Sequence, residues 1–163
     1  MYNPYFQRYI DLVPQGDFSA VFETNTKDIA DFFEGISPNK HNYRYAPEKW
    51  TIKQVLLHLI DTERVLSYRA LVAARGDSNT PLPAMDEDAY AAATNPSDRT
   101  MKDMIAEFKA VRAASGHLLL SLSDEDTNCS CNMPGHHTSI NALGYIIVGH
   151  TLHHMAVIKE RYL

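Results

Sequence analysis

Apolar residues recur at helical spacing in four segments of the chain, approximately residues 17–36, 51–76, 98–122 and 138 to the end. Within each segment they return every three or four positions, which places them on one face of a helix. No segment shows sustained strand-like alternation, although "NCSCNMPGHHTS" around Pro134 and Gly135 favours a small hairpin. Four long helices with little strand predict an all-α fold, a four-helix bundle.

Several residues indicate where these helices begin and end. Thr51 followed by Gln54 is a capping-box pattern that predicts the start of the second helix, and Gly76 is a suitable end for it. The fourth helix is expected to begin near Thr138 or Ser139. Pro- and Gly-rich stretches separate the segments at residues 4–14, 38–47, 76–96 and 128–135. Because no flexible linker interrupts the chain, residues 1–163 are expected to form one domain.

Composition and charge exclude some classes of function. The chain has a formal net charge of −5, and its Lys and Arg residues are scattered. Nucleic acids and anionic membranes bind basic surfaces, so neither is an expected partner. No apolar run approaches the length of a bilayer span, and the N-terminus lacks the features of a signal peptide. Cys129 and Cys131 are too close for an ordinary structural disulfide, and a reducing cytoplasmic environment suits them.

The C-terminal segment "IIVGHTLHHMAVIKERYL" combines an apolar character with three histidines. His150 and His154 are one helical turn apart, so their side chains lie on the same face and can bind one ion. A metal requires a third ligand from elsewhere in the bundle. His58 is the candidate, because it lies in the apolar stretch "VLLHLI" of the second helix.

Each of these histidines also has a simpler interpretation. A single histidine on an apolar stripe is commonly a hydrogen-bonded core residue, and that interpretation applies to His58. The pair of His150 and His154 can arise by chance on an exposed face. His153 is predicted to be a neighbour of the pair, whereas His41 and His117 are expected to be solvated or structural.

A second candidate metal site lies in the segment "CSCNMPGHH", which contains Cys129, Cys131, His136 and His137. Cysteine and histidine at this density can bind zinc. However, the two cysteines lack the two-residue gap of ordinary zinc knuckles, and Pro134-Gly135 already explains the segment as a turn. The turn is therefore the preferred interpretation.

The segments "WTIKQVLLHLIDTERVLSYRALVAARGD", "PLPAMDEDAY" and "GHTLHHMAVIKERYL" resemble the DinB/YfiT-like family, which is regarded as a family of metalloenzymes. The resemblance covers residues 50–163. It implies a four-helix bundle of DinB/YfiT-like topology with one divalent ion between helices. It also implies the ligands, the histidine of H-L-x-D-x-E and the first and last of H-x-x-H-H, here His58, His150 and His154. Three imidazoles suit zinc, nickel, copper or iron, and nickel and zinc are the first expectations.

The same resemblance implies a class of reaction and a homodimer. Characterised members include transferases that use low-molecular-weight thiols. The expected function is therefore a thiol-dependent S-transferase that joins a small thiol to an electrophile, with a metal-dependent hydrolase or a non-catalytic metal-binding bundle as alternatives. Asp61 or Thr62 can hold a ligand imidazole. Arg69 is too far along the helix to contact the ion, and an ion pair with Glu63 or an acid of "DEDAY" is expected for it.

Overall fold

The computed structural model describes all residues, 1–163, and confirms an all-α four-helix bundle with one small sheet. In chain order the α-helices and strands are α1 Gln7–Ile10, α2 Phe18–Glu34, α3 Ile52–Ala74, α4 Glu87–Ala92, α5 Met101–Leu119, α6 Asp124–Thr127, β1 Ser130–Met133, β2 His136–Ser139 and α7 Ile140–Arg161. Short 3-10 turns cover Pro4–Phe6, Pro38–Lys40 and Pro96–Asp98. The bundle consists of α2, α3, α5 and α7. Both α2 and α3 pack against α5 and α7.

Side-chain caps set the starts of the long helices. The capping box predicted for α3 is present: the Gln54 backbone N–H donates to Thr51 Oγ1 at 3.1 Å, and the Thr51 N–H donates to Gln54 Oε1 at 2.9 Å. Ser139 caps α7 with a single hydrogen bond, in which its Oγ accepts from the Ala142 N–H at 3.3 Å. The third long helix begins at Met101, later than the predicted residue 98, because residues 96–98 form a 3-10 turn and Thr100 supplies the cap.

The predicted hairpin is present and forms the sheet. Strands β1 and β2 are antiparallel, with Cys131 opposite Thr138, and Gly135 occupies the turn with a φ of 79°. That left-handed conformation favours glycine. The preceding loop attaches to the hairpin, since the Leu82 N–H donates to the Asn132 carbonyl at 2.9 Å. The loop region 76–96 also contains α4, a helix that the sequence pattern did not predict.

The core consists of two apolar clusters with a buried polar layer between them. Each helix of the bundle contributes one residue to this layer, and these residues are Asn25, Glu63, Arg112 and Thr151. Arg112 Nε donates to Glu63 Oε2 at 2.6 Å, and Arg112 Nη1 donates to Asn25 Oδ1 at 2.9 Å. The charge is thus paired inside the bundle, as burial requires.

The N-terminal segment packs closely on α7. A Cβ atom at Gly149 would overlap the backbone carbonyl of Tyr9, so only glycine permits this approach of α1. The Ser139 N–H also donates to the Met1 carbonyl at 2.9 Å. The outcome is that α1 covers the middle of α7, where the histidines lie. None of the helices combines the length and the hydropathy that a membrane crossing requires.

Candidate metal centre

Three histidines from two helices meet at one point beside the polar layer. His58 extends from α3, and His150 and His154 extend from successive turns of α7. The Nε2 atom of His150 lies 3.1 Å from Nε2 of His58 and 3.1 Å from Nε2 of His154. One ligand atom from each residue lies within 4.8 Å of the other two. The structure therefore brings the three predicted residues together.

The distances from His150 Nε2 to the other two Nε2 atoms fit ligands of a single ion. A neutral imidazole has one N–H donor and one lone pair, so three Nε2 atoms cannot all donate to one another. Nitrogen ligands bound to a single ion at about 2.0–2.1 Å, with angles between 90° (square) and about 109° (tetrahedral), lie about 2.8–3.4 Å apart. The observed 3.1 Å separations fit that spacing. A group of this kind can hold one metal ion.

Burial keeps all three imidazoles neutral near pH 7. It lowers the pKa of His58 to about 4, against a smaller opposing effect of the Asp88 carboxylate. Burial, followed by the charge of His58, lowers the pKa of His154 to about 3. The pKa of His150 is lowered well below its ordinary value, first by burial and then by the other two histidines. Neutral imidazoles present lone pairs, which is the form that binds metals.

Neighbouring side chains hold the histidine rings in place. Thr62 Oγ1 lies 3.4 Å from His58 Nδ1, so with Nε2 free for a metal the Nδ1–H donates to the hydroxyl. The Trp50 and His58 rings lie 4.7 Å apart between centroids. Tyr9 packs edge-on against His150 at 5.3 Å. A hydroxyl group and two aromatic rings therefore orient the candidate ligands.

A cavity of about 530 Å³ opens at the three histidines. Its lining includes Tyr9 and Trp50 near the histidines, and Arg69 and Thr138. No serine or cysteine lines it. The cavity has the size of a small-molecule site.

The structure does not form the second candidate metal site. Cys131 is fully buried and Cys129 is exposed, while His136 and His137 point to different environments because they are adjacent on one strand. His136 lines the cavity and His137 lies opposite Asn132 in the sheet. The preferred interpretation of this segment, a turn, is thus confirmed by the hairpin.

The expectation of an ion pair for Arg69 is wrong. Glu63 pairs with Arg112 across the bundle core, because its position on α3 faces α5. Arg69 instead donates from Nη2 to the Pro83 carbonyl at 2.7 Å. Of the two residues proposed to hold a ligand imidazole, Thr62 contacts His58, whereas Asp61 pairs with Arg64.

The remaining histidines lie as the sequence analysis predicted, and His153 in addition lines the cavity. His153 lies beside His154, with ring centroids 5.2 Å apart. His41 Nε2 is 2.9 Å from the Ile36 carbonyl, and His117 is exposed on α5. The sequence did not predict that Tyr9 and Trp50 line the cavity. Tyr9 lies in a short N-terminal helix and Trp50 directly precedes a helix cap, and neither position indicates a contact with the histidines.

Three histidines from two helices of a four-helix bundle thus converge at the wall of an open cavity, and this group could hold one metal ion. The sequence model of the DinB superfamily matches residues 22–158, and the chain belongs to that superfamily. Comparison with curated proteins gave no match.

The fold is also similar to a solved structure from Bacillus subtilis. That protein, YfiT, is described as a probable metal-dependent hydrolase with an unusual four-helix bundle topology. The two chains are 18% identical, the similarity covers 98% of this chain and 87% of that one, and the TM-score is 0.74. The likeness confirms the DinB/YfiT-like topology of the bundle.

Proposed function

We propose that this protein is a metal-dependent enzyme in which His58, His150 and His154 bind one divalent ion, with zinc or nickel as the first candidates. The observation that carries the proposal is the convergence of three neutral Nε2 atoms on one side of an open cavity. Structural zinc sites usually have four protein ligands, whereas catalytic sites have three and an open position. No fourth Asp, Glu, Cys or His belongs to the group.

A divalent ion at this place would lower the pKa of a water or a thiol bound to it. The protein's own residues would position the ion. Thr62 fixes the ring of His58, Tyr9 packs against the ring of His150, and Trp50 packs against the ring of His58, so that these side chains limit access of bulk water. Because no serine or cysteine lines the cavity, the protein supplies no covalent nucleophile of those types. The Cys131 thiol is buried against the Thr138 carbonyl, outside the cavity.

An external thiol is the first candidate for the nucleophile, which gives a thiol-dependent S-transferase that joins a small thiol to an electrophile. Two features support it: the chain's membership of the DinB superfamily and the absence of a cavity cysteine. Water is the second candidate, which gives a metal-dependent hydrolase. The description of YfiT favours that reaction.

One comparison of assays separates the two reactions. Protein loaded with zinc or nickel is offered electrophilic probes with and without bacillithiol, glutathione, coenzyme A or cysteine. A transferase forms a thioether product only when thiol is present. A hydrolase cleaves activated esters or amides with no thiol, and hydrolysis that thiol leaves unchanged would favour the second reaction over the first. Metal binding without turnover in either assay would favour the non-catalytic bundle.

Metal content tests the ligand assignment. Protein purified without chelator should carry close to one ion per chain, and His154→Ala should lose most of it, since a ligand is removed. His117→Ala is the matched control, because His117 is an exposed histidine on α5. Equal metal content in the wild type and His154→Ala would contradict the assignment of His154 as a metal ligand.

We also propose a homodimer, as the resemblance to the family implies. Tyr68 and Leu71 support a candidate contact, because both are exposed and lie three residues apart on one face of α3. Light scattering at micromolar concentration should give twice the mass of the chain, and Tyr68→Glu should lower it. A monomeric mass for the wild type would end this proposal.

A further inference from the structure

Arg69 is a buried cation without a carboxylate partner. Only 6% of its surface is exposed, and its one hydrogen bond to the protein is from Nη2 to the Pro83 carbonyl at 2.7 Å. No Asp or Glu lies within ion-pair distance of it. The residue lines the same cavity as the three histidines. Most of its N–H donors are therefore without a protein acceptor.

The other deeply buried arginine, Arg112, is paired inside the bundle. Arg112 pairs with Glu63 at 2.6 Å and also donates to Asn25 at 2.9 Å. A buried charge without such a partner is costly, so buried arginines are almost always paired. Arg69 departs from that rule at a cavity wall, where a ligand can supply the missing anion.

Thr138 is a second unsatisfied group in the same cavity. It is fully buried, it lines the cavity, and its Oγ1 has no hydrogen-bond partner. Its cross-strand neighbour is Cys131, and burial raises the pKa of that thiol against a smaller opposing effect of Arg69. The Pro83 carbonyl that Arg69 contacts follows Leu82, whose N–H donates to Asn132 beside Cys131. Side chains of opposite residues lie on the same face of a hairpin. Arg69 and Thr138 thus belong to the same end of the cavity.

The distance along α3 separates this end from the three histidines. Arg69 is eleven residues beyond His58, a rise of about 16 Å between the Cα atoms. Side chains on a helix lean toward its N-terminus, and the Arg69 side chain is longer than that of His58. The guanidinium is therefore closer to the histidines than the distance between the Cα atoms. A molecule of metabolite size can therefore touch both ends of a cavity of about 530 Å³.

We propose that Arg69 and Thr138 form a subsite for a carboxylate of the substrate or cosubstrate, whose reacting end lies at the three histidines. This inference rests on the proposed function, because that function places the reacting end of the ligand at the three histidines. A guanidinium offers a planar fork that matches a carboxylate, and a hydroxyl adds one more donor. The other charged residues of the cavity lining are Arg8 and Glu87, and Arg8 is engaged by Tyr5 and Tyr9. With a divalent ion bound, the ion, Arg8 and Arg69 together would carry more positive charge than the single carboxylate of Glu87 neutralises.

Bifunctional thiols test the subsite in cobalt-loaded protein, in which bound thiolate has its own absorption band. The probes are mercaptopropionate and mercaptohexanoate, each paired with the mercaptoalcohol of the same length. At the length that spans the cavity, wild type should bind the acid at least about tenfold more tightly than the alcohol, as expected for a charge-assisted hydrogen bond. In Arg69→Gln that preference should disappear, while the mercaptoalcohol binds as it does to wild type.

Three further variants separate recognition from folding. Arg75→Gln removes an exposed charge just after α3 and should keep the full preference. Arg69→Lys keeps the charge but loses the fork, and Thr138→Val loses one donor, so each should reduce the preference without removing it. A preference that survives in Arg69→Gln, or no preference in wild type at either length, would overturn the proposal.

Metal-free protein distinguishes failure of the subsite from failure of the proposed function. Hexanoate should shift the NMR signal of the Arg69 Nε–H in wild type, and hexanol should not. If cobalt does not bind but hexanoate still shifts this signal, the metal proposal fails and the subsite stands. If cobalt binds and hexanoate leaves the signal unchanged, the subsite fails and the metal proposal stands.

Discussion

The guanidinium of Arg112 and the carboxylate of Glu63 form an ion pair in the middle of the bundle, with Nε and Oε2 2.6 Å apart and both side chains at most 2% exposed. Thr151, which donates to Asn25 in the same layer, follows His150 directly on α7. The layer thus fixes the rotation of α7 on which the histidine positions depend. It also determines how much stability the protein would lose if one charge of the ion pair were removed.

Glu63→Gln should destabilise the protein by about 3–5 kcal/mol, because it leaves the buried guanidinium of Arg112 without its counter-ion. Urea unfolding monitored by circular dichroism measures the change. Glu160→Gln is the control, since its pair with Arg161 is exposed and should contribute less than about 1 kcal/mol. Replacing Glu63 and Arg112 together by leucine should restore part of the stability. Similar losses for Glu63→Gln and Glu160→Gln would contradict the prediction.

The metal-free protein should lose stability when the pH falls below about 6.5, the ordinary pKa of histidine. The pKa of His58 is lowered to about 4 and that of His154 to about 3, so the unfolded chain binds more protons than the folded one in this range. Each group contributes at most about 1.4 kcal/mol per pH unit. Unfolding at several pH values checks this, and His154→Gln should flatten the dependence. An unchanged slope in that variant would show that His154 does not cause it.

Thr62→Val should weaken metal binding by about 10- to 100-fold, because it removes the acceptor of the His58 Nδ1–H. Competition with a chromophoric zinc chelator gives the affinity. Thr26→Val is the matched control: its hydroxyl donates to the Phe22 carbonyl of its own helix. Thr62→Ser retains the hydroxyl and should bind nearly as well as wild type. Wild-type affinity in Thr62→Val would exclude a role for the hydroxyl.

Gly149→Ala should destabilise the protein by about 1–3 kcal/mol, since the added methyl group overlaps the Tyr9 backbone and displaces α1. Displacement of Tyr9 should also loosen the edge-on packing against His150 and lower the metal affinity. Gly116→Ala is the control, because its methyl group would meet only the edge of the Phe22 ring at 3.2 Å. Thermal unfolding should show little change for that control. A Gly149→Ala variant as stable as the control would show that α1 moves at no cost.

The sequence by itself determined the four long helices of the bundle and the cap of α3, because those features depend on residues close together in the chain. The capping box of Thr51 and Gln54 and the turn at Gly135 are local patterns, and both are present. The pairing of His150 with His154 is also local, since it follows from the helical repeat. The choice of His58 as third ligand came from its apolar surroundings and from the resemblance to a family.

Only the tertiary structure decided which polar residues face each other between elements. The expected partner of Arg69 was Glu63 or an acid of "DEDAY". Glu63 lies six residues before Arg69 on α3, but the two side chains leave that helix in different directions. Glu63 turns toward α5 and Arg69 toward the loop at Pro83. Tyr9 reaches His150 because Gly149 lets two backbones approach. Such contacts depend on the rotation and separation of packed helices, which local periodicity does not specify.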